Sequence, residues 1–460
     1  MRFVSTRGSA DPVGFTDALL AGLAPDGGLY VPEAWPQLSH QRLAAFAHAP
    51  YAEVAAEVLS IFAGDDLSPE AARADAAAAY ARFAHAAVTP LRQLAPDRWL
   101  LELFHGPTLA FKDVAMQLLA RLYDRVLSAR NERLTLVAAT SGDTGGAAVD
   151  AFAGSDRVRL IVLYPEGRIS PVQRRFMTAS GADNVACLAV EGTFDDCQAL
   201  VKRLFADREL RREAPLSGVN SINWARILAQ SVYYLTSAAQ LGAPARPIGF
   251  VVPTGNFGDA FAGYVAMRMG LPVSKLTVAT NANDILARAF ATGTYARGAV
   301  RATQSPAMDI QVASNFERLY FEAVGRDAAE TKRAFEGFQA SGSLVIPSQA
   351  RAMLAPLFEG RAVSEDQTTA AMAAALRACG ELVDPHTAVA LAAAPEADGP
   401  TVVLATAHPA KFPEAVKAAT GRVPALPPHL GDLFARPERI LPMAADYAAL
   451  SAFVRAFAAA

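Results

Sequence analysis

A lysine near the start of a predicted helix is the residue best suited to covalent chemistry. The segment FHGPTLAFKD, Phe104 to Asp113, contains a Gly-Pro turn followed closely by Lys112. Partial burial and the positive end of the helix dipole both lower the pKa of an ammonium group there, which favours the neutral amine. A neutral amine attacks aldehydes, so the segment predicts a Schiff-base lysine. The alternative is an ordinary surface lysine beside Asp113.

A second segment, ATSGDTGGAA (139–148), places small polar residues between a predicted strand and a helix start. Backbone N–H groups at that helix terminus, with the hydroxyls of Ser141 and Thr144, would bind an anion such as an α-carboxylate. The alternative is a capped turn in which Asp143 and Thr144 only satisfy free backbone amides. The segment alone does not decide between the two.

A third segment, PTGNFGDA (253–260), again joins a predicted strand to a helix through glycines. Gly255 and Gly258 allow backbone N–H groups to approach a phosphate closely, and the helix adds its dipole. The wording matches neither the nucleotide loop GxxxxGK[ST] nor the dinucleotide loop GxGxxG. A small phosphate compound is therefore a better candidate than a nucleotide, and a purely structural tight turn is the alternative.

Strands and helices alternate around these segments. Apolar runs predict strands at 99–104, 134–139, 158–164, 184–190, 248–253, 275–281 and 401–406. Helical patterns occupy 111–126, 145–153 and 171–180, the last with Ser170 as N-cap before Pro171. Such alternation predicts an α/β fold with parallel sheets, in which ligands bind at the carboxyl ends of the strands.

Three lobes are predicted along the chain. Residues 1–92 form a helical N-terminal lobe, 93–240 an α/β lobe carrying Lys112, and 241–460 a second α/β lobe carrying the glycine loop of 253–260. An insertion at about 290–380 shows helical pattern but few strand signals. A length of 460 residues agrees with more than one lobe, because single cores stop growing at about 250 to 300 residues.

Composition excludes several classes of function. Lys+Arg 42 against Asp+Glu 45 gives a net charge of −3, which offers no electrostatic basis for nucleic-acid binding. Cys187, Cys197 and Cys379 are too widely spaced for a disulfide framework or a CxxC metal pair, which favours a reducing, cytoplasmic setting and no metal site. No export signal is visible, because Asp11 and Pro12 interrupt the amino end. The charge-free stretch 227–245 contains Gln and Ser and predicts a buried helix rather than a membrane span.

A lysine nucleophile, a carboxylate loop and a phosphate cup together meet the needs of a pyridoxal phosphate enzyme. The segments FHGPTLAFKD, TSGDTGG, NSINWARI, PTGNFGD and ATAHPAKF, with the opening FVSTRG and PDGGLYVP, resemble the longer bacterial and fungal branch of the threonine synthases. The resemblance covers nearly the whole chain. It implies the fold-type II pyridoxal phosphate architecture: two doubly wound parallel-sheet lobes, as in the tryptophan synthase β subunit, with a helical N-terminal lobe.

The resemblance also implies roles for cofactor-binding residues. Lys112 would hold pyridoxal 5'-phosphate and move protons on the bound substrate. Asp143 would lie near the cofactor ring, and the Thr406 hydroxyl would face the pyridine nitrogen, unless it is simply a strand-end hydroxyl bonded to backbone. The phosphate cup would comprise Gly255, Asn256, Phe257, Gly258 and Asp259. In that cup main-chain amides would dominate, and the Asp259 carboxylate would cap the helix.

The implied substrate is O-phospho-L-homoserine, and Ser141 and Thr144 would meet its carboxylate. Its distal phosphate needs a second cationic pocket, for which arginine is suited by its two-pronged guanidinium. The candidates are Arg226, Asn223, Arg168, Ser170 and Gln173. Alternatively, Arg226 and Arg168 form surface or interlobe salt bridges.

The implied reaction is the last step of threonine biosynthesis. Phosphate is eliminated, water adds at the β-carbon, and L-threonine is released by a carbon–oxygen lyase. Two rival enzymes share the cofactor cup: a serine or threonine dehydratase, and a phospholyase that stops after elimination and releases 2-oxobutyrate. A third rival, a catalytically silent binding protein, is disfavoured by the intact Lys112 and cup. No nucleic-acid or membrane partner is expected, and the protein is predicted to be a monomer or homodimer.

Overall fold

The computed structural model describes residues 1–396 and 399–459, which form helices around two parallel sheets. The helices are α1 Phe15–Ala21, α2 His40–Ala45, α3 Tyr51–Ala63, α4 Pro69–Tyr80, α5 Lys112–Arg130, α6 Asp143–Phe152, α7 Pro171–Thr178, α8 Phe194–Ala206, α9 Arg208–Glu213, α10 Trp224–Gln240, α11 Gly258–Arg268, α12 Ile285–Thr292, α13 Phe316–Ala323, α14 Ala328–Ser341, α15 Ser348–Leu354, α16 Glu365–Cys379, α17 Pro385–Ala393, α18 Pro413–Thr420 and α19 Tyr447–Ala459.

The strands are short and mostly buried. They are β1 Phe3–Ser5, β2 Tyr30–Pro32, β3 Leu91–Ala95, β4 Arg98–Glu102, β5 Leu134–Ala139, β6 Val158–Pro165, β7 Val185–Glu191, β8 Leu216–Gly218, β9 Ile248–Pro253, β10 Val273–Thr280, β11 Thr294–Ala296, β12 Ser343–Val345, β13 Phe358–Ala362, β14 Thr401–Ala405 and β15 Leu441–Ala444. Each strand predicted from an apolar run has a counterpart, with bounds shifted by two residues or fewer at almost every end.

The N-terminal part of the chain is mainly helical. Strands β1 and β2 pair antiparallel into a two-stranded ribbon, and helices α1 to α4 follow or flank it. Ser39 and Ser68 cap α2 and α4 by accepting backbone N–H bonds, and Pro69 begins α4. The predicted helical N-terminal lobe therefore contains, in addition, a small ribbon.

The first of the two main sheets has the strand order β15-β7-β6-β5-β8, and every pairing in it is parallel. The second has the order β13-β10-β9-β14-β4-β3 and is parallel except for the β3–β4 pair. Parallel strands buried on both faces are near-continuous apolar runs, as LTLVAA and IGFVVP are. The predicted parallel α/β fold is confirmed.

The two sheets do not follow one another along the chain. Strands β3 and β4 pair within the sheet of β9, β10 and β14, although they precede the first sheet in sequence. The last strand and helix, β15 and α19, return to the first sheet. The lobe bounds 1–92, 93–240 and 241–460 stay predictions. Strand pairing crosses both internal boundaries, because β3 pairs with β4 across 92/93 and β4 pairs with β14 across 240/241.

The insertion at about 290–380 contains more strand than its sequence indicated. Strands β11 and β12 form a small antiparallel pair, and β13 adds to the edge of the second sheet beside β10. The segment FEGRA of β13 has no alternating or β-branched pattern, so its strand state comes from pairing with β10.

Helix α10 accounts for most of the charge-free stretch. Its residues Trp224–Ala239 are all buried, which confirms the predicted buried helix. No helix among the described residues is long and apolar enough to span a membrane. Cys187, Cys197 and Cys379 are free thiols.

Candidate active site

One cavity lies where the carboxyl ends of strands from both sheets meet. Its wall unites several residues singled out in the sequence: Lys112, Asp143, Thr144, Arg226, Gly255, Asn256, Phe257, Gly258, Asp259 and Thr406. It also includes residues that the sequence did not indicate: Ser221, Gln230, Ala307, Met308 and His386. Segments far apart in the chain therefore meet in one site, as the strand-end argument predicts.

Lys112 begins helix α5 and is 9% exposed. Its Nζ atom lies 3.5 Å from Oδ2 of Asp143 and 4.6 Å from the centre of the Phe111 ring. Burial lowers the pKa of Lys112; Asp143 raises it, while Lys411 and Arg226 lower it further. The interpretation as a surface lysine is wrong, and the lowered pKa increases the fraction of nucleophilic free amine.

Asp143 is the shared carboxylate of this end of the cavity. Lys411 Nζ lies 2.8 Å from its Oδ1, and Gln173 Nε2 donates to the same oxygen at 2.9 Å. Burial opposes ionisation of Asp143, but Lys411, Lys112 and the Gln173 hydrogen bond outweigh it and hold the pKa of the carboxyl well below its usual range. Asp143 is therefore an anion that fixes two ammonium groups beside each other.

Lys411 is a second buried lysine of the site. It is 1% exposed, and its Nζ donates to the Thr108 carbonyl at 2.7 Å as well as contacting Asp143. Lys411 is therefore a buried, ion-paired charge and not a solvated one. Lys411 reaches the site because its segment, ATAHPAKF, begins at Ala405, the last residue of strand β14.

The glycine loop after β9 has the shape of an anion cup. Phe257 adopts the left-handed conformation, with φ 63° and ψ 6°, and helix α11 begins at Gly258. A left-handed residue beside a helix start turns successive N–H groups toward one side, which forms an anion-binding concavity. The Phe257 ring is held among the rings of Phe290, Phe316 and Phe358 at 5.8–6.2 Å between centroids.

Gly255 is required by close packing behind this cup. A Cβ atom there would lie 2.8 Å from the Ala307 carbonyl oxygen and 3.0 Å from Ile310 Cδ1. A backbone oxygen cannot move away without shifting its chain, so any side chain at 255 would displace the loop or the 307–310 segment. The glycine therefore lets the insertion lie against the cup.

Asp259 does not cap helix α11, contrary to the sequence prediction. The N-cap is Phe257, which makes no side-chain bond to the helix, and Asp259 is already inside the first turn. Its Oδ1 accepts hydrogen bonds from Tyr233 Oη and, at 2.9 Å, from Tyr234 Oη. Burial raises the pKa of Asp259 to about 6, although the two tyrosines lower it.

Arg226 is a buried cation with no counter-charge among the described residues. It is 3% exposed and makes no salt bridge or side-chain hydrogen bond within the described part of the chain. Burial lowers the pKa of its guanidinium to about 10, and the group stays charged at neutral pH. The salt-bridge alternative is wrong for Arg226, because its guanidinium lines the cavity without a carboxylate partner.

Thr406 follows β14 and is 5% exposed. Its carbonyl oxygen accepts the Phe111 N–H at 2.8 Å, so the main chain of Thr406 is joined to the lysine segment. Its hydroxyl makes no hydrogen bond to any described residue. That hydroxyl lies at the cavity wall and remains available to a ligand.

His386 and Gln230 are functional candidates that sequence reasoning missed. His386 Nδ1 lies 2.7 Å from Asp384 Oδ2, while its Nε2 accepts the Ala307 N–H at 3.2 Å, which fixes the neutral tautomer with the proton on Nδ1. Gln230 is 3% exposed, and its Oε1 has no partner among the described residues. Gln230 follows Arg226 at helical i+4 spacing, which was a usable signal; for Ala307 and Met308 there was none.

Five predicted substrate residues do not line this cavity: Ser141, Asn223, Arg168, Ser170 and Gln173. Asn223 caps α10, and its Nδ2 donates to Leu19 O at 2.8 Å. Ser170 and Gln173 form a capping box at the start of α7, and Gln173 also orients Asp143. Arg168 is exposed on a turn and Ser141 is half-buried. Their roles as substrate ligands stay predictions.

No group of three or more His, Cys, Asp or Glu side chains within the described residues is arranged to hold a metal ion. The polar groups of the cavity wall are the Lys112 amine, the Arg226 guanidinium, two carboxylates, the His386 imidazole, side-chain amides and hydroxyls, and the backbone amides of the glycine loop. The amine, the guanidinium and the backbone amides suit an anionic ligand with a carbonyl group.

Three family profiles together match almost the full length of the chain. Residues 2–80 match "Threonine synthase N terminus", 83–406 match "Pyridoxal-phosphate dependent enzyme", and 387–454 match "Threonine synthase, C-terminal". The chain is also 50% identical over 459 residues to the threonine synthase of Pseudomonas aeruginosa, which covers 99% of this chain and 98% of that protein.

Solved structures give the same result. A pyridoxal phosphate-bound threonine synthase from Brucella melitensis superposes with a TM-score of 0.98 at 51% identity, covering 100% of both chains. The threonine synthase of yeast superposes with a TM-score of 0.94 at 36% identity, covering 100% of this chain and 99% of that one.

Proposed function

Because the chain belongs to the threonine synthase family, we propose that its cavity converts O-phospho-L-homoserine and water to L-threonine and phosphate. The chain is a pyridoxal phosphate-dependent lyase of fold type II. The observation that carries the proposal is the meeting in one cavity of a buried lysine, a glycine loop with left-handed Phe257 at a helix start, and a buried guanidinium that has no carboxylate partner among the described residues.

The described residues fit pyridoxal 5'-phosphate. The loop of Gly255–Gly258 would hold its phosphate through backbone N–H groups, Lys112 would take its aldehyde, and the free Thr406 hydroxyl would meet its ring nitrogen. A neutral hydroxyl partner leaves the ring nitrogen less protonated than a carboxylate would. When bound, the cofactor supplies an electron sink for carbanions next to the substrate nitrogen.

The protein residues divide the remaining work. Lys112 removes and returns protons at the substrate carbons, and burial favours this role because it lowers the pKa of the amine. Asp143 keeps Lys112 and Lys411 oriented by ion pairing. Arg226 binds the substrate phosphate, since a desolvated guanidinium without a carboxylate attracts a dianion strongly. Thr144 lies where the substrate carboxylate would enter, at the start of α6.

The proposed setting is the cytoplasm, with the enzyme acting as a monomer or homodimer in amino-acid biosynthesis. Three unpaired thiols, of which Cys187 and Cys197 are buried, support a reducing environment. Light scattering after size exclusion distinguishes one copy from two, and a larger assembly would contradict this part of the proposal.

The test is to incubate the purified protein with pyridoxal phosphate and O-phospho-L-homoserine and to quantify phosphate and threonine together. We expect equimolar release, lowered by at least about a thousandfold in Lys112→Ala because the covalent nucleophile is lost. The exposed Lys417→Ala is the matched control and should retain full activity. Phosphate with 2-oxobutyrate would indicate a phospholyase instead, and deamination of serine or threonine without phosphate release a dehydratase.

Borohydride reduction of the loaded enzyme separates the two buried lysines. The reduced cofactor should be found on the peptide that contains Lys112. Both lysines contact Asp143, so either amine is close enough to be the nucleophile. Label on the peptide that contains Lys411 would therefore assign the nucleophile to Lys411.

A further inference from the structure

The two N-terminal motifs, FVSTRG and PDGGLYVP, supply no residue to the cavity, yet both contact helix α13. Thr6 Oγ1 donates to Glu317 Oε1 at 2.7 Å, and Arg7 donates to both oxygens of the same carboxylate at 3.0 and 2.9 Å. The Arg7 and Glu317 side chains are only 10% and 6% exposed. The buried Arg7–Glu317 ion pair and the Thr6 hydrogen bond therefore fix the ribbon of β1 and β2 to the beginning of α13.

Arg318, the next residue, is fully buried and joins three separate segments. Its guanidinium donates to the Tyr30 carbonyl at 3.0 Å, to the Ile222 carbonyl at 2.6 Å and to Asn315 Oδ1. None of these acceptors is a carboxylate. One side chain thus connects the ribbon, the turn before α10 and Asn315, and its bonds determine how those segments lie relative to one another.

Asn315 passes this connection to the phosphate cup. Its backbone N–H and its Nδ2 both donate to the Asn256 carbonyl, at 3.0 and 3.1 Å, and Nδ2 also lies 3.3 Å from the Ser221 carbonyl. The chemistry fixes the orientation of the amide, because guanidinium only donates and a carbonyl only accepts. Asn315 and Arg318 are not part of the cavity wall.

Holding the Asn256 carbonyl also fixes the donor on the other side of the same peptide. In a planar trans peptide the C=O of Asn256 and the N–H of Phe257 point in opposite directions. The Phe257 N–H therefore points away from Asn315. A non-glycine residue persists in the left-handed conformation only when its surroundings overdetermine it, and Asn315 provides a hydrogen-bonded constraint beside the aromatic packing of Phe257.

From this geometry we infer that Arg318 and Asn315 are positioning residues for the anion site. They hold the cup in its phosphate-binding form, align it with the turn of residues 221–222 that leads into α10, the helix that carries Arg226, and make both depend on the N-terminal ribbon. The inference rests on the proposed function only in that the ligand of the cup is the phosphate of pyridoxal phosphate.

The experiment compares Arg318→Met with a matched control, Arg326→Met. Arg326 also links the ribbon to the end of α13, by donating to the Pro32 carbonyl at 2.6 Å, but it has no bond to Asn315 or the cup. Apo-protein is titrated with pyridoxal phosphate, and the bound phosphate is observed by 31P NMR. We expect Arg318→Met to weaken cofactor affinity at least tenfold and to shift the 31P resonance, and Arg326→Met to change neither.

A second variant, Asn315→Ala, removes the bond to the cup while leaving the Arg318 bonds to Tyr30 and Ile222. The same loss of affinity and the same 31P shift are expected, with apo-protein unfolding measured in parallel so that all comparisons are made on folded protein. Native affinity and an unchanged 31P resonance in Arg318→Met or in Asn315→Ala would overturn the inference.

The proposed function has a separate outcome in this design. Wild-type protein that binds pyridoxal phosphate tightly but does not convert O-phospho-L-homoserine would refute that function and leave the positioning inference standing. Wild-type protein that does not bind pyridoxal phosphate would refute both.

Discussion

The two ends of the cavity treat charge in opposite ways. At the lysine end, the Asp143 carboxylate contacts Lys112 and Lys411, and Gln173 completes its hydrogen bonding. At the anion end, Arg226 is buried without a carboxylate or any side-chain hydrogen bond to described residues. The lysine end is therefore satisfied before a ligand arrives, while the anion end is completed only by a bound anion.

This contrast separates residues that stabilise the apo-protein from residues whose favourable interactions form only when a ligand binds. A buried charge that has lost its partner strongly destabilises a protein, whereas a buried charge that never had one already weakens the apo-protein. Removing Asp143 should therefore lower stability, and removing Arg226 should not. For ligand affinity the order should be reversed, with the larger loss on removing Arg226.

The largest expected effect is that of Asp143→Asn on apo-protein stability. The change leaves Lys411, which is 1% exposed, without its counter-charge, so we expect the free energy of unfolding to fall by about 3 kcal/mol. Denaturant unfolding measures it. Asp432→Asn, which breaks the exposed pair with Arg436, is the control and should match wild type. An Asp143→Asn protein of native stability would contradict the compensated charge at this end.

Arg226→Met should affect ligand affinity rather than folding. We expect an unfolding free energy equal to or above that of wild type, because a desolvated cation is removed, and a substrate KM raised roughly tenfold to a hundredfold through loss of charge-assisted hydrogen bonds. Arg168→Met is the matched control, since Arg168 is the exposed sequence candidate outside the cavity. A larger effect at Arg168 would reassign the substrate phosphate.

The smallest expected effect is a pH dependence from Asp259. Its folded-state pKa of about 6 lies above the unfolded value of 3.8, so its favourable contribution is present below pH 3.8 and is lost as pH rises through 6. Relative to Asp259→Asn, wild type should lose about 2 kcal/mol of unfolding free energy between pH 4 and pH 7. Urea unfolding across that range measures the difference.

Tyr233→Phe tests whether the pH dependence comes from the pKa of Asp259. The Tyr233 hydroxyl lowers the pKa of Asp259 by donating to it, so the substitution should move the loss of stability to higher pH. A pH dependence identical in wild type and Asp259→Asn would show that Asp259 does not titrate in this range.

Much of the fold followed from local pattern. Apolar runs located seven strands of the two main sheets, and Ser170 before Pro171 located the start of α7. The pattern did not reveal that β4 pairs with β14 rather than with β5, nor that β3, β8, β13 and β15 are strands of these sheets. Pairing partners depend on contacts between residues hundreds of positions apart, which no short window of sequence contains.

The site was predictable where a motif ends a strand. Lys112, Asp143, the 255–259 loop and Thr406 met in one cavity because each follows, or packs beside, the carboxyl end of a strand. His386 and the buried state of Lys411 were missed, because both depend on which segments the insertion and the C-terminal part bring near. Asp259 was misassigned because the tyrosines that bind it lie on another helix.

Residue types and their order along the chain indicated the available chemistry: a lysine at a helix start, glycines after a strand, and arginines, whose guanidinium suits phosphate. The environment of each group came from the folded arrangement. Arg226 is buried without a carboxylate partner among the described residues and Arg168 is exposed, although both were candidates for binding the substrate phosphate. The physical reason is that charge compensation and desolvation are properties of the neighbours in space, and folding chooses those neighbours from the whole chain.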